Sequence, residues 1–248
     1  MNTKACLLAI LLLLSACAGK RSTETPLRPD SVVAVKANSV ESEELIPDTE
    51  IIETFSDSTN IGKKGSCKIN IIKHRVHEDW YVIVKFYVKD NGDWVIQNNY
   101  HYDCNTIMEL TPNISDYNND KLNDLTFISA TAARSANEVR SLFIYEPSDR
   151  RLVFILNSYD YPNMEYNKEL NCIDAFMVHG GTTTVFARIE GDSLIEFAGV
   201  HNDNGYRTVY EIDDDGEERV LRKDTLTDLA RTYTRYKNYK PLKEYKER

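Results

Sequence analysis

The sequence predicts an all-β protein: an antiparallel meander of hairpins, propeller-like or sandwich, with a flexible N-terminal tether and a short basic C-terminal tail. Three observations predict it. From about Ile51 the apolar runs are short and rich in β-branched and aromatic residues, the side chains that suit a half-buried pleated surface. Turn signals punctuate those runs at near-regular spacing, the grammar of sandwiches, barrels and propellers. The 248 residues are 42% apolar and 10% aromatic, which is enough to bury a core and excludes a wholly disordered chain. No strict internal repeat is visible, so the sequence does not choose among these all-β forms.

The elements follow in chain order. Residues 1–16 read as a secretory leader. Lys4 supplies the positive charge, and Ala5 to Leu14 is an unbroken apolar run of ten residues, against the roughly 20 that cross a bilayer as a helix. Leu14-Ser15-Ala16-Cys17 comes next. That tetrad resembles the bacterial lipobox, in which the chain is cut before the cysteine and the thiol carries diacylglycerol. Cys17 is therefore the expected lipidation site and membrane anchor, multiple acyl chains holding where one does not. Ala18 stands where an Asp would resemble the inner-membrane retention signal of some bacteria. The expected address is the bacterial cell envelope, at the outer membrane facing the periplasm. Residues 17–50 mix Ser, Thr, Pro, Val, Lys and Glu without a period and read as a lipidated flexible linker.

A β-rich globular domain is expected over 51–224. Lys68 to Ile72 and Trp80 to Val88 are strand-like, Asn91-Gly92 punctuates, and Asp93 to Ile96 resumes; Asn-Gly supplies the positive φ that tight hairpins demand. The pattern recurs in Leu142–Tyr145 with Arg151–Ile155, in Thr183–Ile189 with Ser193–Phe197, and in Arg207–Ile212 with Glu218–Leu221. Once the leader is gone, Cys67, Cys104 and Cys172 remain beside the acylated Cys17. The compartment permits one bridge among the three, and buried apolar thiols are the other reading. Absence of a Cys-x-x-Cys leaves zinc-ribbon and thioredoxin chemistry without support.

One constellation carries specific chemistry. In Asp116-Tyr117-Asn118-Asn119-Asp120-Lys121-Leu122-Asn123-Asp124, oxygen side chains fall at loop positions 1, 3, 5 and 9. Calcium takes six to eight oxygens at about 2.3–2.6 Å. The spacing makes Asp116, Asn118, Asp120 and Asp124 candidate ligands, with the carbonyl of Leu122 at position 7. Position 12 is Phe127 rather than Glu, and a strand-like run follows, so this is not an EF-hand. It looks like the calcium loops of integrin-type propeller blades, except that Lys121 stands where Gly is usual, a substitution costing on the order of 1 kcal/mol at positive φ. The other reading is an Asx-rich turn with solvated acids.

The loop, Phe127-Ile128, Ser141 to Val153 and Glu169-Leu170 together resemble a family of bacterial periplasmic lipoproteins that includes lysozyme inhibitors and immunity lipoproteins; Glu146 replaces that family's usual Asp before Pro147. The resemblance implies a propeller-like β structure and protection against secreted peptidoglycan hydrolases. It covers Asp116 to Leu170 and places no inhibitory residue.

Residues 225–248 form the expected basic, Tyr-rich tail. Arg231 to Arg248 carries seven basic and two acidic side chains with Tyr233, Tyr236, Tyr239 and Tyr245 between them. Thr227 to Tyr239 can form a short helix capped by Thr225 or Thr227 and stopped by Pro241. The tail can touch anionic lipid or glycan, or lie back on the protein's own acids. The whole chain carries 30 basic and 39 acidic side chains, net −9. That balance argues against nucleic acid as a main partner and suits attraction of basic proteins.

Other signals are weaker. His74 and His77 are three apart and diverge on a strand. His179-Gly180-Gly181 lacks a Gly-x-Ser-x-Gly partner. Asp213 to Glu218 reads as an acidic hairpin turn. No catalytic residue can be assigned. The expected function is a lipid-anchored protein-binding module, an inhibitor of or immunity protein against a lysozyme-like hydrolase. A structural lipoprotein and a glycan-active enzyme are the alternatives.

Overall fold

A computed structural model describes residues 49–104 and 106–245. The leader, Cys17 and residues 17–48 of the linker lie outside the described residues. Sixteen strands are described, and no α-helix among the described residues. They run β1 Thr49–Asp57, β2 Cys67–Val76, β3 Asp79–Asp90, β4 Asp93–Asp103, β5 Asn113–Ser115, β6 Asp124–Ala132, β7 Asn137–Glu146 and β8 Arg151–Phe154. Then come β9 Glu165–Asn167, β10 Cys172–Val178, β11 Thr182–Glu190, β12 Ser193–Asp203, β13 Tyr206–Ile212, β14 Glu218–Thr225, β15 Tyr236–Tyr239 and β16 Leu242–Glu244.

The strands pair antiparallel in sequence order. The first sheet is β1 to β4, the second β5 to β8, the third β9 to β14, and β15–β16 is a separate hairpin. All four expected hairpins are present, and Asn91 (φ 48°) and Gly92 (φ 99°) turn the first of them. The all-β meander is thus the observed architecture, in stacked, sandwich-like layers.

Period-two alternation decides which side chains meet. Ile69 and Ile71 on β2, with Val82, Val84 and Phe86 on β3, form one core with Leu125, Phe127, Phe143 and Leu152 of the second sheet. Aromatic rings thicken it, Phe143 and Phe154 lying 4.9 Å apart. A second core joins Leu142 and Ile144 to Ile173, Ala175, Val185 and Ala187 of the third sheet. β7 therefore buries both faces, which is why Leu142-Phe143-Ile144-Tyr145 is an uninterrupted apolar run rather than an alternating one. The far face of the third sheet, Phe186, Ala198, Val200 and Val209, is covered by Tyr236.

Residues 229–245 correct the expectation of a short helix in the tail. A 3-10 turn spans Leu229–Tyr233, where Asp228 accepts a bond from the Ala230 amide. From Tyr236 the chain is a strand, because Tyr236 and Asn238 are buried while Lys237 and Tyr239 alternate outward. A helix would have split Tyr236 and Asn238 onto different faces. The tail is part of the globular domain, and β1 starts two residues inside the expected linker.

Cys67, Cys104 and Cys172 are free and buried, which settles the cysteine alternatives for buried thiols. Burial pushes the Cys172 thiol up to about 12, with Asp174 adding, and raises Cys104. All three thiols are buried, and for Cys104 and Cys172 the reactive thiolate is disfavoured as well, so we expect the three to resist labelling by a disulfide reagent in the native head and to react within minutes in denaturant. Fast native labelling of Cys104 or Cys172 would refute the burial.

Candidate functional site

The oxygen-rich loop joins β5 to β6. Asp116 Oδ1 accepts the amides of Asn119 (2.6 Å) and Asp120 (3.2 Å), and its Oδ2 accepts Lys121 N (2.9 Å). Asn118 Oδ1 accepts Asp120 N, and Asp120 Oδ1 accepts Leu122 N at 2.7 Å. Asn119 (φ 63°) and Lys121 (φ 71°) are left-handed. Lys121 thus adopts the conformation usually given to Gly, and the side-chain acceptors around it offset the strain.

Asp124, at the start of β6, does something different. It is fully buried, and its two oxygens accept the amides of Tyr117 (2.7 Å) and Tyr145 (2.9 Å). It therefore clips the loop to β7. Burial pushes its carboxyl up to about 7; the two amides oppose that, and the charges of Asp120 and Asp116 reinforce it. On the other side, Asn123 Nδ2 donates to Asn60 O and Gly62 N donates to Asn123 O at 2.8 Å. The loop is thereby tied to the segment leaving β1. Gly62 is required there: at φ 55° a Cβ would stand 3.0 Å from Cys67 Sγ and 3.1 Å from the Tyr145 ring.

The structure brings Asp116, Asn118 and Asp120 together on one turn. It points Asp124 at main-chain amides, and Leu122 meets Asp120 through its own amide. Among the described residues no three acidic, histidine or cysteine side chains form a group able to hold a metal. The donor atoms are the oxygens calcium takes, but those of the carboxylates are engaged by amides.

A second polar cluster was not legible in the sequence. Tyr210 donates to Glu196 Oε1 at 2.6 Å, and its ring stacks on His201 at 4.4 Å. His201 Nε2 lies 3.3 Å from Glu218 Oε1, and its Nδ1 lies 2.9 Å from Thr183 Oγ1. Burial raises the Glu196 carboxyl. Gly199 makes room for this: a Cβ would sit 2.3 Å from the Tyr210 oxygen. We expect Gly199→Ala to cost about 1–3 kcal/mol through overpacking, read as a lower denaturation midpoint.

The tail's cations are spent on the protein's own acids. Arg235 grips the fully buried Asp174 and reaches Glu165 at 3.3 Å. Lys237 and Lys243 pair with Glu169, Lys240 with Glu211, and Arg231 with Glu244. An open hollow of about 540 Å³ beside this strap is lined by Glu165, Tyr166, Lys168, Glu169, Lys237 and Tyr245.

The remaining sequence signals are structural. His77 (φ 56°) sits in a turn, while His74 packs against Tyr81 and His101. His179 Nδ1 accepts the Gly181 amide. Asp213 Oδ1 accepts the amides of Asp215 and Glu217, closing the acidic hairpin turn.

No protein-family description matches the chain, and no curated protein matches it. Among solved structures, the chain is similar to a Xanthomonas type IV secretion system related protein, with 9% identity over 72% of this chain and all of that one, at a TM-score of 0.44.

Proposed function

We propose that the chain is a lipid-anchored envelope module that binds a protein, a basic cell-wall hydrolase of the lysozyme class, and thereby restrains it. The observation that carries the reading is the spent tail. Each of the five described tail cations has an acidic partner, so the charge left to act outward is the acidic excess of a chain at net −9. Such a surface attracts basic proteins and speeds their encounter. The lipobox-like Leu14-Ser15-Ala16-Cys17 supports the anchor and the periplasm-facing outer-membrane address. The test uses the mature chain with Cys17→Ser. It should slow the clearing of purified peptidoglycan by one or more of a panel of basic lysozymes and amidases, near one-to-one stoichiometry. No binding and no slowing across the panel would remove the reading.

Calcium belongs to this proposal as a structural ion of the loop, held by Asp116, Asn118, Asp120, Asp124 and the Leu122 carbonyl after the carboxylates exchange amides for the cation. With a dissociation constant near 1 mM, typical of extracellular modules, 10 mM calcium stabilises by about 1.4 kcal/mol. That corresponds to roughly 3–5 °C in melting temperature. Asp120→Ala should abolish the shift. Superimposable melts of the wild type with calcium and with chelator would end the calcium proposal.

One observation favours a second reading. Glu196 and Glu218 stand at the two ends of the Tyr210–His201 stack, and burial raises the Glu196 carboxyl, the direction the general acid of a glycan-cleaving enzyme requires. Reducing-end release from peptidoglycan that vanishes in Glu218→Gln would establish it. No release by the wild type would dismiss it.

A further inference from the structure

The surface that makes first contact with such a partner can be located. Between β4 and β5, Ile107 is 79% exposed and Met108 46% exposed, Ile107 being the most exposed large apolar side chain among the described residues. Ordering a mobile side chain on binding costs entropy. This segment is braced instead. The Met108 carbonyl accepts the ammonium of Lys73 at 2.6 Å, and Lys73 is itself 1% exposed. Met108 N donates to Thr106 Oγ1, and Leu110 N donates to Glu53 Oε2. Ile128 N then donates to Leu110 O, and Cys104 N to Trp80 O. Leu110, two residues after Met108, is fully buried in the first core. The ammonium also lies 5.0 Å from the Trp80 ring centre, so a buried, costly cation is held in place from two sides and fixes this loop. What it yields is an apolar knob fixed before any partner arrives.

The surroundings of the knob are acidic. At the same end of the first sheet lie the exposed acids Glu50, Glu78, Asp79, Asp103 and Glu109. Among the described residues the cations near it are each engaged: Lys73 is buried, Arg75 pairs with Glu50 at 2.5 Å, and Arg140 pairs with Glu138 while donating to Thr111 O. Ile51 and Ile52, both exposed, precede the anchoring Glu53 on β1. An apolar anchor inside a charged rim is the anatomy of a protein interface.

We infer that Ile107 and Met108 are the anchor of a protein-docking surface, and that its occupant is a basic protein presenting an apolar pocket bordered by Lys or Arg. The inference rests on the protein-binding reading above and names the surface that performs it. The experiment measures affinity of the mature Cys17→Ser chain for the hydrolase it slows most. Ile107→Asp and Met108→Asp are compared with Val220→Asp, a similarly exposed apolar position on β14. Expected are a loss of at least about 30-fold for Ile107→Asp, no loss for Val220→Asp, and unchanged melting temperatures. Equal binding by Ile107→Asp and wild type, or equal losses at Ile107 and Val220, overturns the inference and leaves the protein-binding reading standing. A melting temperature lowered by Ile107→Asp assigns the knob to cover by the chain itself and also overturns it. Failure of the wild type to bind any hydrolase of the panel ends both.

Discussion

Arg235→Ala is expected to destabilise the protein by about 3–5 kcal/mol, the cost of leaving a buried charge without its partner. Asp174 is fully buried on β10. Burial raises its carboxyl, and Arg235 is the strongest opposing influence. Asn167 and the Tyr245 hydroxyl also bond to it, but neither brings a positive charge. Arg235 additionally sets the position of Tyr236, which seals Phe186, Ala198, Val200 and Val209. Loss of the ion pair should therefore loosen the whole strap from β14 onward and speed its amide exchange. The paired replacement Arg235→Leu with Asp174→Leu should recover most of the loss, since apolar substitutes avoid the desolvation cost. A midpoint for Arg235→Ala within 1 kcal/mol of wild type would show that the tail is held by its aromatic residues alone.

The second large effect is the pH dependence attached to Asp124. Its carboxyl is raised from 3.8 to about 7 in the folded protein. A group raised on folding adds stability that is complete below its unfolded value and is lost as pH climbs through its folded one. In calcium-free buffer the contribution should thus be whole near pH 3.8 and fall away as pH approaches 7. Its size is at most about 4 kcal/mol. Asp124→Asn cannot titrate, and it sets an amide group against the Tyr117 or Tyr145 N–H. It should be less stable than wild type at pH 4 by about 1–3 kcal/mol, with the gap closing towards pH 7. Urea midpoints between pH 4 and 7 measure both curves. Parallel curves would mean that Asp124 is ionised throughout.

The hairpins were legible because their signals are local. Asn91-Gly92 and Glu190-Gly191-Asp192 sit between runs of period two, and turn chemistry acts within four residues. The left-handed conformation at Lys121 was expected only from the resemblance to integrin-type loops, which usually have Gly there. Partnerships across long stretches of chain were not legible. Asp124 meets Tyr145 N 21 residues away, and Arg235 meets Asp174 across 61. Nothing in either local pattern names the other. The stretch Thr227 to Tyr239 reads as a short helix in isolation, and it is the third sheet, by supplying a face for Tyr236 to cover, that makes its end a strand. Glu196 and Tyr210 were hidden by bulges: pairing shifts register between Phe186 and Ala187 and again between Val209 and Tyr210. Such shifts break the alternation from which one reads the direction of a side chain.

Association of the mature, unlipidated chain with a basic lysozyme, followed by its on-rate from 50 to 300 mM salt, tests the central claim most directly. The account predicts saturable one-to-one binding whose on-rate drops several-fold over that range, as acidic attraction is screened. Binding that is absent, or that keeps the same on-rate at every salt concentration, would contradict it.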